Sequence, residues 1–117
     1  MEKKDLGKTS TGIEANVAGL LSYVLGFITG IIFFVIEKEN KFVRFHAMQS
    51  IITFGSLFVL GLMLGVVFRF TYVGYTISSL LWIVDIILWI LLMVKAYQGE
   101  YFKLPVVGDI AEKQVQK

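Results

Sequence analysis

Three long apolar blocks, separated only by short polar stretches, constrain this 117-residue chain more than any other feature. Hydrophobic residues make up 56% of it, above the roughly 45–50% usual in soluble domains. A water-soluble domain of this size leaves too much surface exposed to bury three such blocks. Hydrocarbon, by contrast, requires each segment to satisfy its own backbone hydrogen bonds, which a helix does. The length allows one domain. The sequence therefore predicts an all-α membrane protein with three transmembrane helices.

The first helix is expected over residues 13–36. At ~1.5 Å per residue, a run of that length crosses a ~30 Å hydrocarbon core. Thr11 and Glu14 have the spacing of a capping box at its start. The run is too long for a signal-peptide core and ends in Glu37-Lys38-Glu39-Asn40, with no small-residue cleavage site. The second helix is expected over 45–68 and the third over 72–94. The very short turn at 69–71 forces these two into a tight antiparallel hairpin. Beyond Lys95, Tyr97, Tyr101 and Phe102 stand among polar residues, which suits the headgroup region. Pro105 can open a short interfacial helix running to Glu112. Residues 1–10 read as a mobile polar tail, 11–112 as one three-helix domain with an interfacial tail, and 113–117 as a frayed terminus.

Three spans would put the N-terminal tail and the second turn on one side, with Lys3, Lys4, Lys8 and Arg69. The first loop and C-terminal tail would lie on the other, with Lys38, Lys41, Arg44, Lys95, Lys103, Lys113 and Lys117. The excess favours a cytoplasmic first loop and C-terminus. A net charge of +2 and no dense basic run argue against nucleic acid. The absence of cysteine removes disulfides, thiolate catalysis and cysteine-based zinc sites. One histidine cannot make a His-rich metal site. No catalytic residue, cofactor or metal is predicted, and the partners expected are the lipid bilayer, further copies of the chain or other membrane proteins.

Two patterns are candidates for function. Ala18, Ser22, Gly26 and Gly30 recur at intervals of four, as do Gly61 and Gly65. Such faces let helix backbones approach closely in lipid, as a seam within the monomer or between copies. The second pattern is polar. Asp85 lies near the middle of the third helix, where a carboxylate costs at least ~2.5–3.5 kcal/mol. Ser78 precedes it by two turns on the same face. His46, Gln49, Thr53 and Ser56 form a stripe on the second helix, and folding the hairpin sets Asp85 near the depth of Gly55. The cluster reads either as a polar or proton pathway or as a protonated Asp85 locking two helices together. Ser50 stands one turn after His46, but no nucleophile elbow or oxyanion signature accompanies this pair. Lys41 and Arg44 are candidate contacts for lipid headgroups.

Phe42-Val43-Arg44-Phe45-His46-Ala47-Met48-Gln49-Ser50 resembles the start of the second helix in a family of small bacterial and archaeal membrane proteins of unknown function. That family is grouped with the twenty-kilodalton component of the chloroplast inner-envelope import translocon. Leu20-Leu21-Ser22-Tyr23-Val24-Leu25-Gly26 and the closing Ala96 to Gly108 segment, with Gly99 and Pro105 six apart, extend the resemblance over nearly all the chain after residue 10. It implies an α-helical membrane protein, integral to a prokaryotic plasma membrane, and, for the chloroplast branch, a role in preprotein translocation. It brings no catalytic residues. The expected three spans depart from the four of that branch. Two functions stay open: helix assembly or partner binding, and an oligomeric conduit for protons, ions or a small solute through Asp85 and the polar stripe.

Overall fold

The computed structural model describes residues 6–116, so residues 1–5 and 117, including Lys3, Lys4 and Lys117, lie outside it. It is all-helical over the described residues: α1 (Ala15–Val24), α2 (Phe27–Ile36), α3 (Lys41–Val67), α4 (Tyr72–Tyr97) and α5 (Val107–Gln116). Two helices, α3 and α4, are long and apolar enough to cross a membrane.

The continuous first span expected over 13–36 is replaced by two ten-residue helices. The chain breaks at Leu25–Gly26, where Gly26 has φ +62° and ψ −135°, a backbone conformation that side chains with a Cβ resist. The two helices fold back on each other as a hairpin. Its base is closed by Glu37, whose carboxylate accepts from Ser10 N at 3.0 and 2.8 Å. Each arm is only ~15 Å long at helical rise, half the depth of a hydrocarbon core. The expected capping box does not form. Thr11 Oγ1 accepts instead from Ile13 N at 3.3 Å, and α1 begins after Glu14.

The first loop is also shorter than expected, because α3 starts at Lys41 rather than at Phe45. Asn40 is the cap, its Oδ1 accepting from Val43 N at 3.0 Å, as asparagine commonly does at this position. The hairpin of the two long helices is as the sequence predicts. Its turn is Phe68–Thr71, and Thr71 caps α4 by accepting from Gly74 N at 3.0 Å. α4 continues to Tyr97. α5 begins two residues after Pro105 and runs through 113–116.

α2 packs along α3, α1 lies against both long helices, and α5 lies against α3. Two clusters form the core. One gathers Ala15, Ala18, Phe33, Phe42, Val43 and Ala47. The other gathers Tyr23, Phe54, Leu92 and Ala96. Both lie in the half of the bundle that holds the start of α3 and the end of α4. Beyond Phe54 on α3 and before Leu88 on α4, large apolar side chains are exposed, Val66 at 76% and Trp82 at 69%.

Candidate functional site

The most developed polar arrangement sits where α1, α3 and the segment after α4 meet. His46 and Gln49, one turn apart on α3, are both fully buried, as is Tyr23 of α1. His46 Nε2 lies 2.7 Å from Glu100 O. A carbonyl only accepts, so Nε2 carries the ring proton. Nδ1 is then the acceptor for the Tyr23 hydroxyl at 2.6 Å. The same hydroxyl accepts from Gln49 Nε2 at 3.0 Å. Gln49 Nε2 also donates to Phe102 O at 2.9 Å, and its Oε1 accepts from Leu104 N at 3.0 Å. Every polar atom of the three side chains thus has a partner, and neutral histidine fits the chain of donors without a competing proton. Three of these bonds hold the strap of residues 98–106, which has no helix of its own to satisfy its backbone.

The tip of the α1–α2 hairpin is closed in the same way. Thr29 Oγ1 accepts from Leu25 N at 3.1 Å and donates toward Ser22 O at 3.1 Å. Ser50 Oγ donates to Gly26 O at 2.9 Å, and Trp89 Nε1 donates to Tyr23 O at 2.7 Å. Non-helical backbone carried into hydrocarbon would need such partners, because hydrocarbon offers none. Ser50 is therefore committed to the hairpin tip and not to His46.

At the base, Glu37 accepts from Glu39 N and Asn40 N in addition to Ser10 N. Burial pushes its carboxyl up, but the amides of Ser10, Asn40 and Glu39 and the Ser10 hydroxyl outweigh that and hold it below the usual carboxylate range. Asn40 Nδ2 donates to Leu6 O at 2.8 Å and Lys8 O at 3.1 Å. The described part of the predicted mobile tail is thereby tied to the first loop.

The predicted polar cluster is divided between two places. His46 and Gln49 enter the lock with Tyr23. Thr53, one turn on, is buried with its Oγ1 unpartnered among the described residues. Ser56 and Ser78 are exposed, and Asp85 is half-buried. No hydrogen bond or ion pair joins Asp85 to a described residue. The predicted seam divides likewise. Ala18 and Ser22 are fully buried. A Cβ on Gly30 would stand 2.9 Å from Ala47 O, so this glycine lets α2 approach α3. Gly61 and Gly65 face open space, with nothing within 4 Å of an added Cβ. Of the candidate headgroup contacts, Lys41 is exposed, whereas Arg44 turns inward. Its Nη1 donates to Phe34 O at 2.9 Å and Glu37 O at 2.7 Å, capping α2, and its guanidinium lies 4.1 Å over the Phe34 ring.

Sequence reasoning missed Tyr23, Thr29, Glu37, Asn40 and Trp89. Asn40 carried a legible signal, an asparagine directly before a long helix. Trp89 and Glu37 reach backbone groups far away in sequence, Tyr23 pairs with side chains on another helix, and the bonds of Thr29 form only once the chain has turned at Gly26, so none leaves a local pattern.

Comparison with known proteins places the chain in a group. Residues 8–111 match the model of the magnetosome magnetite crystal formation protein family. A UPF0132 membrane protein of Methanocaldococcus jannaschii is 53% identical over 111 residues, covering 95% of this chain and 97% of that one. A UPF0132 membrane protein of Archaeoglobus fulgidus is 50% identical over 103 residues, covering 88% and 97%. The Tic20 family protein Ycf60 of Pyropia yezoensis is 32% identical over 106 residues, covering 79% of this chain and 50% of that protein. No solved structure matches. This chain belongs to the magnetosome magnetite crystal formation protein family and to the UPF0132 membrane proteins, with Tic20 family proteins as distant relatives.

Proposed function

We propose that this protein is a non-catalytic membrane assembly module. On this reading the locked end of the bundle sits at the membrane surface, α1–α2 is a hairpin that dips in and returns without crossing, and α3–α4 crosses as the two spans. The observation that carries the proposal is the distribution of unsatisfied groups. At the locked end nearly every buried polar atom is paired within the chain. The half-exposed carboxylate of Asp85 and the bare glycines Gly61 and Gly65 lie on the α3–α4 hairpin beyond it. A carboxylate at mid-span is costly against lipid, and open glycines favour close approach of another helix. The hairpin is thus the part fitted to meet a second copy or another membrane protein. Kinship with Tic20 family proteins supports a setting near protein translocation.

This arrangement also bears on orientation. Ser10 lies against Glu37, so the tail after residue 5, the first loop, the strap and α5 share one end. That end carries Lys8, Lys38, Lys41, Arg44, Lys95, Lys103 and Lys113, against Arg69 alone at the far turn. The asymmetry favours the cytoplasm for this end, now with the N-terminal tail on the same side as the first loop. Two observations speak against catalysis: both ring nitrogens of His46 are engaged, and Ser50 points elsewhere. The magnetite description finds no counterpart in a ligand cluster, since no group of three or more His, Asp or Glu side chains placed to hold a metal occurs among the described residues.

The chain has no cysteine, so single cysteines can be introduced cleanly. Ser78→Cys on the far hairpin is expected to crosslink in native membranes to a second copy or to one defined membrane protein, and Lys8→Cys is not. Absence of any adduct at Ser78→Cys and at Gly61→Cys would overturn the assembly reading. The conduit reading would replace it if purified wild type carried a flux in proteoliposomes that Asp85→Asn abolished while assembly stayed intact.

A further inference from the structure

A groove of about 460 Å³ opens at the locked end between α2, the start of α3 and the last turn of α5. Lys38, Lys41 and Arg44 supply three cations to it, and Glu39 the single carboxylate. Phe34, Val35 and Val115 form an apolar wall. Arg44 is not a loose surface charge here. Its two hydrogen bonds to α2 carbonyls both use Nη1, which fixes the guanidinium while its other donors take no partner among the described residues. Below the groove the apolar wall continues along the exposed face of α2 through Ile32, Ile31 and Ile28, each about half exposed.

We propose that this groove holds the phosphate of one anionic phospholipid, with an acyl chain laid along α2. Three cations against one carboxylate leave the lining net positive, which favours an anionic headgroup, and the rigid Arg44 offers directional donors where the lysines offer point charges. The choice of a lipid over free phosphate rests on the apolar wall, which a free ion would leave unused and an acyl chain would cover. The inference shares with the proposed function only the placement of this end at the membrane surface. It does not require the far hairpin to associate.

Native mass spectrometry of detergent-purified protein with added dioleoyl phosphatidylglycerol tests it. One lipid per chain is expected to be retained in preference to dioleoyl phosphatidylcholine. Lys38→Gln with Lys41→Gln is expected to weaken retention at least about tenfold, because each interfacial lysine contributes on the order of 1 kcal/mol toward anionic lipid. Lys8→Gln with Lys113→Gln, which removes the same charge elsewhere, is expected to retain the lipid. Val115→Trp, which fills the groove and keeps its charges, is expected to weaken retention. Equal loss in the two double variants, or full retention by Val115→Trp, would overturn the site. Equal retention of phosphatidylcholine, or displacement of the lipid by an equal concentration of inorganic phosphate, would overturn the assignment to an anionic lipid. Self-crosslinking through Ser78→Cys that persists in the Lys38 and Lys41 variant would keep the two proposals separate.

Discussion

The two ends of this bundle are built from similar apolar sequence and are held by different means. At the locked end five helical pieces converge on a core in which Tyr23, His46 and Gln49 exchange donors in a fixed direction. At the far end two helices run on alone, with Phe58, Met63, Val66 and Trp82 more than half exposed. The contrast shows what each end needs from its surroundings. On the proposed placement a short hairpin and a strap bring non-helical backbone toward the membrane, where that backbone must be satisfied within the protein. The far hairpin is continuous helix and needs no side-chain help. It can leave its faces to lipid or to other helices.

The largest effect is expected where several strap bonds share one side chain. Gln49→Leu removes the partners of Phe102 O and Leu104 N and leaves the Tyr23 hydroxyl one donor short. The Tyr23 hydroxyl is fully buried and the two strap atoms are part-buried, so at about 1–3 kcal/mol for a buried group left unpaired the variant should lose about 2–4 kcal/mol in a detergent melt. Limited proteolysis should then cut within 98–106, and continued protection there would show that packing alone holds the strap. Next in size is a pair of glycines that contrasts the two ends directly. Gly30→Ala places a Cβ against the Ala47 carbonyl and should cost about 1–3 kcal/mol, as overpacking does. Gly61→Ala meets nothing within the chain and should be neutral or stabilising by up to about 1 kcal/mol of helix propensity. If Gly61→Ala instead destabilises the protein in membranes, the far hairpin is covered there by another helix.

A smaller effect should follow pH. The Glu37 carboxyl is held below its usual range, so its contribution is present above the ordinary carboxylate value. It fades as pH falls through the lowered folded value. Melts taken from neutral pH down into the acid range should show this loss, and Glu37→Gln should flatten it. An unchanged acid limb in Glu37→Gln would assign the loss to other carboxylates. The smallest expected change is a gain. Thr53→Val replaces a buried, unpartnered hydroxyl by a methyl of similar volume and should stabilise by about 1 kcal/mol. A loss instead would mean that the hydroxyl has a partner in the membrane.

The long helices were legible because length and uniform apolarity are what a span requires, and Arg69 with Thr71 marks the turn between them. The break at Gly26 was not. Residues 17–36 are apolar apart from Ser22 and Thr29, and hydropathy reads a folded hairpin and a straight helix alike. What decides between them is contact between Ser10 and Glu37, twenty-seven residues apart, together with Thr29 reaching back across the tip. His46 and Gln49 stood out as polar residues on an apolar helix. Their partners did not, because Glu100, Phe102 and Leu104 contribute backbone atoms that every residue possesses. Asp85 stood out most, and its surroundings are the part that one chain alone leaves open.

The shared end has a consequence for how such a chain enters a bilayer. On the proposed arrangement the described part of the tail, the first loop, the strap and α5 all stay on the starting side, and the stretch between the two long helices is the Phe68–Thr71 turn, which carries one charge, Arg69. Carrying a four-residue turn through hydrocarbon is a far lower barrier than translocating a terminus or a folded segment. On the proposed arrangement the pair α3–α4 would therefore go in together as a preformed hairpin. On that arrangement α1–α2 would then follow from the side already occupied, without any part of it having to reach the other.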